Sequence, residues 1–261
     1  MDVNRALTAP FQDKDWVKKA SLGGLWALLI VTGPALYGYW LDYITAVAGG
    51  RESPLPEWNG FGRYWVRGFL LSIAMAIYLL PALILFGLGF IPLIVAAVSG
   101  APEDAATFAG VGGICLFSLL GFVWAVAVSI LVYAAVVNYA LRESFGSLFA
   151  VGEILQRVRS GGYLQAWLMT LLIWFAAGAV GGMVNAILGE LVPFIGNLAG
   201  LFGTGFVYFL GAAISGHVLG QWASTAYGMP GTGAPGAAGT AAPSPAPGPY
   251  EPPAPPAPPA A

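Results

Sequence analysis

Charge is what this chain has least of. Only 8% of its 261 residues are Asp, Glu, Lys or Arg, where a soluble domain carries about a quarter. It has one cysteine, Cys115, and one histidine, His217. A single cysteine excludes a disulfide within the chain, and one Cys with one His cannot build a zinc cluster. The formal net charge of −2 offers no basic patch for a nucleic acid. No Gly-Lys-Ser or Gly-Lys-Thr phosphate loop is present, and no metal-binding helix motif. No cofactor is expected.

Apolar residues fill the space that charge leaves. They make up 58% of the chain, and its mean hydropathy is +0.77. Uncharged runs extend over 25–41, 68–102, 105–141 and 161–189, and 191–250 holds only His217 as a weak titrator. A helix rising about 1.5 Å per residue needs about 20 apolar residues to cross a bilayer. Four of the runs suffice, so the reading is an all-α, polytopic helical membrane bundle. The alternating ten-residue segments of a β-barrel are missing. No cleaved signal peptide is expected, because the residues before the first run include Asp2, Asp13 and Asp15.

Along the chain, Asp13 is placed to cap a helix starting near Lys14. Trp16, Lys18 and Lys19 read as interfacial anchors, the ring at headgroup depth and the lysines snorkelling outward. The first apolar segment is interrupted by Gly33-Pro34, which predicts one kinked span or two short half-helices. The second predicts a span over about 63–86 followed by a Gly/Pro-broken piece. Further spans are expected near 108–141, 163–188 and 194–227. Between the third and fourth, RESFGSLFAVGEILQRVRSGG predicts a helix lying along the membrane surface, with Glu153 and Arg157 as an i, i+4 pair. Residues 1–228 form the membrane domain. Residues 229–261 hold twelve of the twenty prolines and predict a disordered Pro/Ala/Gly-rich tail, most simply a spacer.

All ten cationic residues lie before the first segment, just after it, or between the third and fourth segments. Cytoplasmic loops collect Lys and Arg, so segments two to five alternate well and leave the tail in the cytoplasm. The first segment has cations at both ends. A re-entrant or interfacial course resolves this, giving four full crossings plus one Gly-Pro-broken segment; five crossings with the N-terminus outside is the rival. Trp58, Arg63, Tyr64, Trp65 and Arg67 then mark the cytoplasmic interface, and Asn59 is placed to cap the following helix.

The residues Phe11, Asp13, Asp15, Trp16, Lys18, Pro34, Gly38, Tyr39 and Leu55-Pro56-Glu57-Trp58 carry a resemblance. Their order resembles the prokaryotic membrane proteins catalogued as domain of unknown function 4013, over roughly residues 5 to 228. The resemblance implies a prokaryotic inner membrane and a helical fold. It implies no activity, so no functional residue is carried over.

Polar residues inside spans are costly and default to functional hypotheses. Here they are Asp42, Asn138, Asn185 and His217. An intramembrane aspartyl protease would need two apposed aspartates, and only Asp42 qualifies. Ser215 and His217 are two apart on one helix and do not face each other. The chain is therefore expected not to be an enzyme. Small-residue pairs occur at Gly178/Gly182, Gly196/Gly200 and Gly216/Gly220, a spacing that lets helices approach closely within or between chains. Two readings follow. One is a scaffold or accessory subunit that meets the lipid bilayer and a membrane-protein partner or its own copies. The other is a small transporter or lipid-handling protein with a site near Asp42 and His217, whose ordinary explanation is a carboxylate reaching headgroups and a histidine bonded to a neighbouring helix.

Overall fold

A computed structural model describes residues 1–27, 30–51, 55–191 and 193–229. The Pro-rich tail beyond Met229 and Pro54 lie outside the described residues. Among those described there are helices and turns and no strand.

The N-terminal part contains three short helices. The first is α1 (Val3–Thr8), whose Asp2 carboxylate accepts the Arg5 N–H at 3.0 Å. Next come α2 (Trp16–Ala27) and α3 (Gly33–Ala48), with a 3-10 turn at Ile30–Thr32 between them. Gly33-Pro34 does not kink a long helix; it opens α3. Proline in the first turn costs nothing, since that N–H has no intrahelical partner. At 12 and 16 residues, α2 and α3 are each shorter than the roughly 20 residues a crossing requires.

Four helical stretches are long and apolar enough to cross a membrane: Trp58–Ser99, Glu103–Arg142, Tyr163–Leu191 and Ile195–Ala226. The first comprises α4 (Phe61–Leu88), which continues through Pro81, and α5 (Ile91–Ser99). The predicted span with a broken piece beyond it is thus what forms. Asn59 does not cap α4; it lies in a 3-10 turn at Trp58–Gly60, and Gly60 takes the cap position. The next helix, α6 (Glu103–Arg142), has Glu103 and Asp104 in its first turn and Arg142 in its last. Both ends therefore suit the helix dipole. A 3-10 turn at Phe145–Phe149 leads into the brief α7 (Val151–Val158). The chain then forms α8 (Tyr163–Leu191) and α9 (Pro193–Ala226).

These spans pair as two antiparallel sets. In the α4–α6 set, the Trp124 indole N–H donates to the Tyr78 carbonyl at 3.0 Å, and Gly121 packs on Ala82. In the α8–α9 set, the Thr204 hydroxyl donates to the Gly181 carbonyl at 2.9 Å. Helix α3 joins the sets at one end, where α4 and α8 begin and α6 and α9 finish. The core gathers there: Tyr39, Leu41, Tyr43 and Ile44 of α3, Ala134 to Val137 of α6, and Phe209, Val218 and Leu219 of α9 are all buried. The far halves differ. Val98, Phe108, Phe122, Ile187 and Leu191 are among the large apolar side chains left exposed. Of the most apolar window, 39% is buried in the last span but only 6% in the first. The last span is the central post, and the others present their sides to hydrocarbon.

Candidate functional site

The packed end is also the polar end. In the second half of α3, Asp42 places one carboxylate oxygen on the Arg63 guanidinium and the other on that of Arg67. Arg63 and Arg67 are four apart in the first turns of α4 and so share a face. Arg67 also lies 3.2 Å from the Glu143 carboxylate and donates to the Ala140 carbonyl at 3.2 Å. The Thr45 hydroxyl donates to that same carbonyl at 3.0 Å, and the Tyr139 hydroxyl reaches the Arg67 carbonyl at 3.3 Å. The final turn of α6 is thereby tied to α3 and α4. The group holds two positive and two negative charges. It is balanced, buried around Arg67 and open at Arg63 and Glu143. Glu143 follows Arg142 with φ at +54°, a left-handed conformation that costs a side chain about 1–2 kcal/mol. That turn brings its carboxylate back onto Arg67.

A second polar group joins α6, α7 and α9. Asn138 donates to the Ser147 carbonyl at 2.9 Å, and its own carbonyl lies 3.4 Å from the Tyr227 hydroxyl. Glu153 does not pair with Arg157 along α7. It takes Arg142 at 2.8 Å, while Arg157 stacks over the Tyr227 ring and donates to the Ala226 carbonyl. The partners offered by neighbouring helices replace the local pair.

A third group clamps the N-terminal region. The Lys19 ammonium is 2.8 Å from Asp13, 2.7 Å from Glu57 and 2.8 Å from the Leu55 carbonyl. Asp13 also accepts the backbone N–H groups of Asp15 and Leu55, both at 2.7 Å. Burial alone would raise the Asp13 carboxyl. Lys19 and the two N–H donors outweigh it and hold the carboxyl below its ordinary value. Burial likewise would lower the Lys19 ammonium, and Asp13 with Glu57 overcomes it and raises it. Trp58 completes the clamp: its indole N–H donates to the Lys19 carbonyl at 3.1 Å while the ring stacks on Tyr39.

The predicted residues divide clearly. His217 is fully buried in α9, its Nδ1 lying 3.2 Å from the Tyr43 hydroxyl of α3. Asn185 sits against Gly200 in the far half of the α8–α9 pair. Asp42, Asn138, Asn185 and His217 are thus distributed over separate helix contacts. Of the predicted anchors, Lys18 and Arg63 are exposed and Trp16 is half-buried against Phe11 and Phe206. Trp65 is half-buried, its indole donating to the Val31 carbonyl at 2.6 Å. Lys19, Tyr64 and Arg67 stand inside the protein, because acidic or carbonyl partners from other segments reach them there.

Gly196 and Gly200 pack on Leu188 and Asn185 of α8, and Gly216 and Gly220 pack on Trp40, Tyr43 and Val47 of α3. Gly178 faces the Tyr208 hydroxyl, and Gly182 has nothing within 4 Å of where a Cβ would sit. Tighter than any of these is a contact the spacing did not reveal. A Cβ on Gly38 would overlap the Tyr64 carbonyl, and one on Gly68 would overlap that of Pro34. Glu143 was also missed; its signal was an acidic residue directly after an arginine that ends a span.

Four apolar spans over a balanced, buried polar base define a polytopic helical integral membrane protein. The family described as "Protein of unknown function (DUF4013)" matches residues 21–186, more than half of the chain. The chain belongs to that family. No curated protein and no solved structure matches it. Among the described residues no group of three or more His, Cys, Asp or Glu is placed to hold a metal ion.

Proposed function

We propose that this protein is a non-enzymatic membrane scaffold or accessory subunit, seated in a prokaryotic inner membrane with its polar end and tail in the cytoplasm. The observation that carries the reading is the employment of the polar side chains. Asp42, Asn138 and His217 each serve a joint between helices, while the far halves of the spans keep broad apolar sides free. The cations Arg63, Arg67, Arg142, Arg157 and Arg159 gather at the packed end, as the positive-inside rule asks of a cytoplasmic face. Helices α2 and α3 then form a re-entrant element that enters and returns on that face, packed by the other helices as irregular backbone at depth requires. A transport site at Asp42 and His217 is disfavoured, since both oxygens of Asp42 are held by arginines and His217 lies against Tyr43.

The test is gentle extraction from the native membrane, followed by a native gel and mass spectrometry. Gly182→Leu separates the possibilities, because its side chain would project where no neighbour stands. A stoichiometric partner, lost in Gly182→Leu or on removal of residues 230–261 while the melting temperature holds, supports the reading. A lone chain that carries a defined solute overturns it.

A further inference from the structure

The chain between α6 and α8 joins two spans at the packed end, and its first part is tied to the sides of the spans. The Ser147 carbonyl accepts from the Asn138 side chain of α6 at 2.9 Å, and the Leu148 carbonyl accepts from the Tyr78 hydroxyl at 2.6 Å. Tyr78 belongs to the uncharged run inside α4, and its ring stacks on Phe149 at 5.7 Å. Irregular backbone beside a span must have its polar groups bonded within the protein, and side chains of two spans do that here. Helix α7 follows directly. Its apolar side chains, Val151, Ile154, Leu155 and Val158, have the spacing of one continuous helical stripe. The protein covers only half of that stripe. Ile154 is buried and Val158 half-buried, whereas Val151 is 53% and Leu155 39% exposed. The polar side of α7 is committed, Glu153 to Arg142 and Arg157 to Tyr227 and the Ala226 carbonyl. Those contacts fix how the helix is rolled, and so which apolar side chains stay bare. At its end the stripe runs on into the side of a span. Val158 lines one open groove with Leu164 and Leu168 of α8, both exposed, in a stretch long and apolar enough to cross a membrane.

We propose that α7 is embedded in the boundary of the bilayer that the spans cross, with Val151 and Leu155 among the acyl chains and Gln156 turned to water. An amphipathic helix settles at that depth when one side is apolar and the other polar. The bilayer is the occupant because the bare row is continuous with the lipid-facing side of α8, so the layer that surrounds α8 also reaches it. Through Arg157 the same helix grips the end of α9. The lipid surface therefore fixes the point at which the chain leaves the last span. The inference is independent of any partner protein and of which face of the membrane the packed end occupies.

The test places Val151→Cys, Leu155→Cys or Gln156→Cys in the full chain with Cys115→Ser. Each thiol is labelled with an environment-sensitive fluorophore. The protein is reconstituted in dioleoyl phosphatidylcholine vesicles, with or without phosphatidylcholine that carries a nitroxide on its acyl chain. All three positions are exposed, so the variants are expected to keep the melting temperature of the Cys115→Ser parent. Labels at 151 and 155 are expected to emit at shorter wavelength than the label at 156, and to lose intensity when the nitroxide lipid is present. The label at 156 changes little. Water-like emission at both 151 and 155 overturns the proposal. Short-wavelength emission that the nitroxide lipid does not quench means that protein covers the row, and overturns it too. Equal quenching at all three positions does the same, because α7 then has no water-facing side.

Discussion

Gly68 and Gly182 are the same residue type in helices of the same class, and only their surroundings separate them. A methyl group on Gly68 would fall on the Pro34 carbonyl, so α3 and α4 would have to part; one on Gly182 meets nothing within 4 Å. Gly68→Ala is expected to destabilise the protein by about 1–3 kcal/mol, the usual cost of overpacking. Gly182→Ala should leave it unchanged or slightly more stable, alanine being the better helix former. Thermal unfolding of the two variants in detergent checks this, and equal melting temperatures would remove the close crossing from the account. At this scale the sequence was legible only along a single helix. The pairs Gly196/Gly200 and Gly216/Gly220 showed themselves by their spacing. Gly38 and Gly68 did not, because their relation lies across two helices. Arg67 read as an interfacial anchor because its charge was visible, while the Asp42, Glu143 and Ala140 groups that draw it inward were scattered along the chain.

The short elements at the N-terminus are joined to the rest by the Asp13–Lys19 clamp, and its contribution depends on pH in a definite sense. The Asp13 carboxyl is held below its ordinary 3.8 in the folded protein. Its stabilisation is therefore complete above that value and fades as pH falls through the lower, folded one. The Lys19 ammonium is held above its ordinary 10.5, so its share is complete below that value and fades as pH climbs past the raised one. The stability gap between wild type and Asp13→Asn should stay constant through neutral pH and close below pH 3.8. Melting curves of both proteins across the acid range measure it, and a gap that already narrows at neutral pH would discount the clamp. The helices themselves were largely visible beforehand: apolar runs located the spans, and Gly33-Pro34 marked a boundary. What the runs concealed is that α3 joins the two sets of spans. Period and composition show that a helix is apolar, and the neighbours it finds decide whether lipid or protein covers it.

For the whole molecule, the proposed orientation is open to a direct check. In a Cys115→Ser background, Asp104→Cys at the far end should react with a membrane-impermeant maleimide added to intact cells. Ser144→Cys at the packed end should react only after the cells are opened. The reverse pattern would turn the protein over, and with it the placing of the tail. One dimension then carries a consequence for the bilayer. Helix α6 has 40 residues, about 60 Å of helix, roughly twice the thickness of a hydrocarbon core. The stretch from Ala134 to Ala140, near its C-terminal end, is enclosed by other helices, which leaves about 30 residues before it, still some 45 Å. A rod longer than the layer it spans leans, kinks or thickens the layer around it, and leaning is the response that leaves the helix intact. Its inclination becomes a gauge of membrane thickness: longer acyl chains would stand it upright and shorter ones lay it down, levering the packed base as they do.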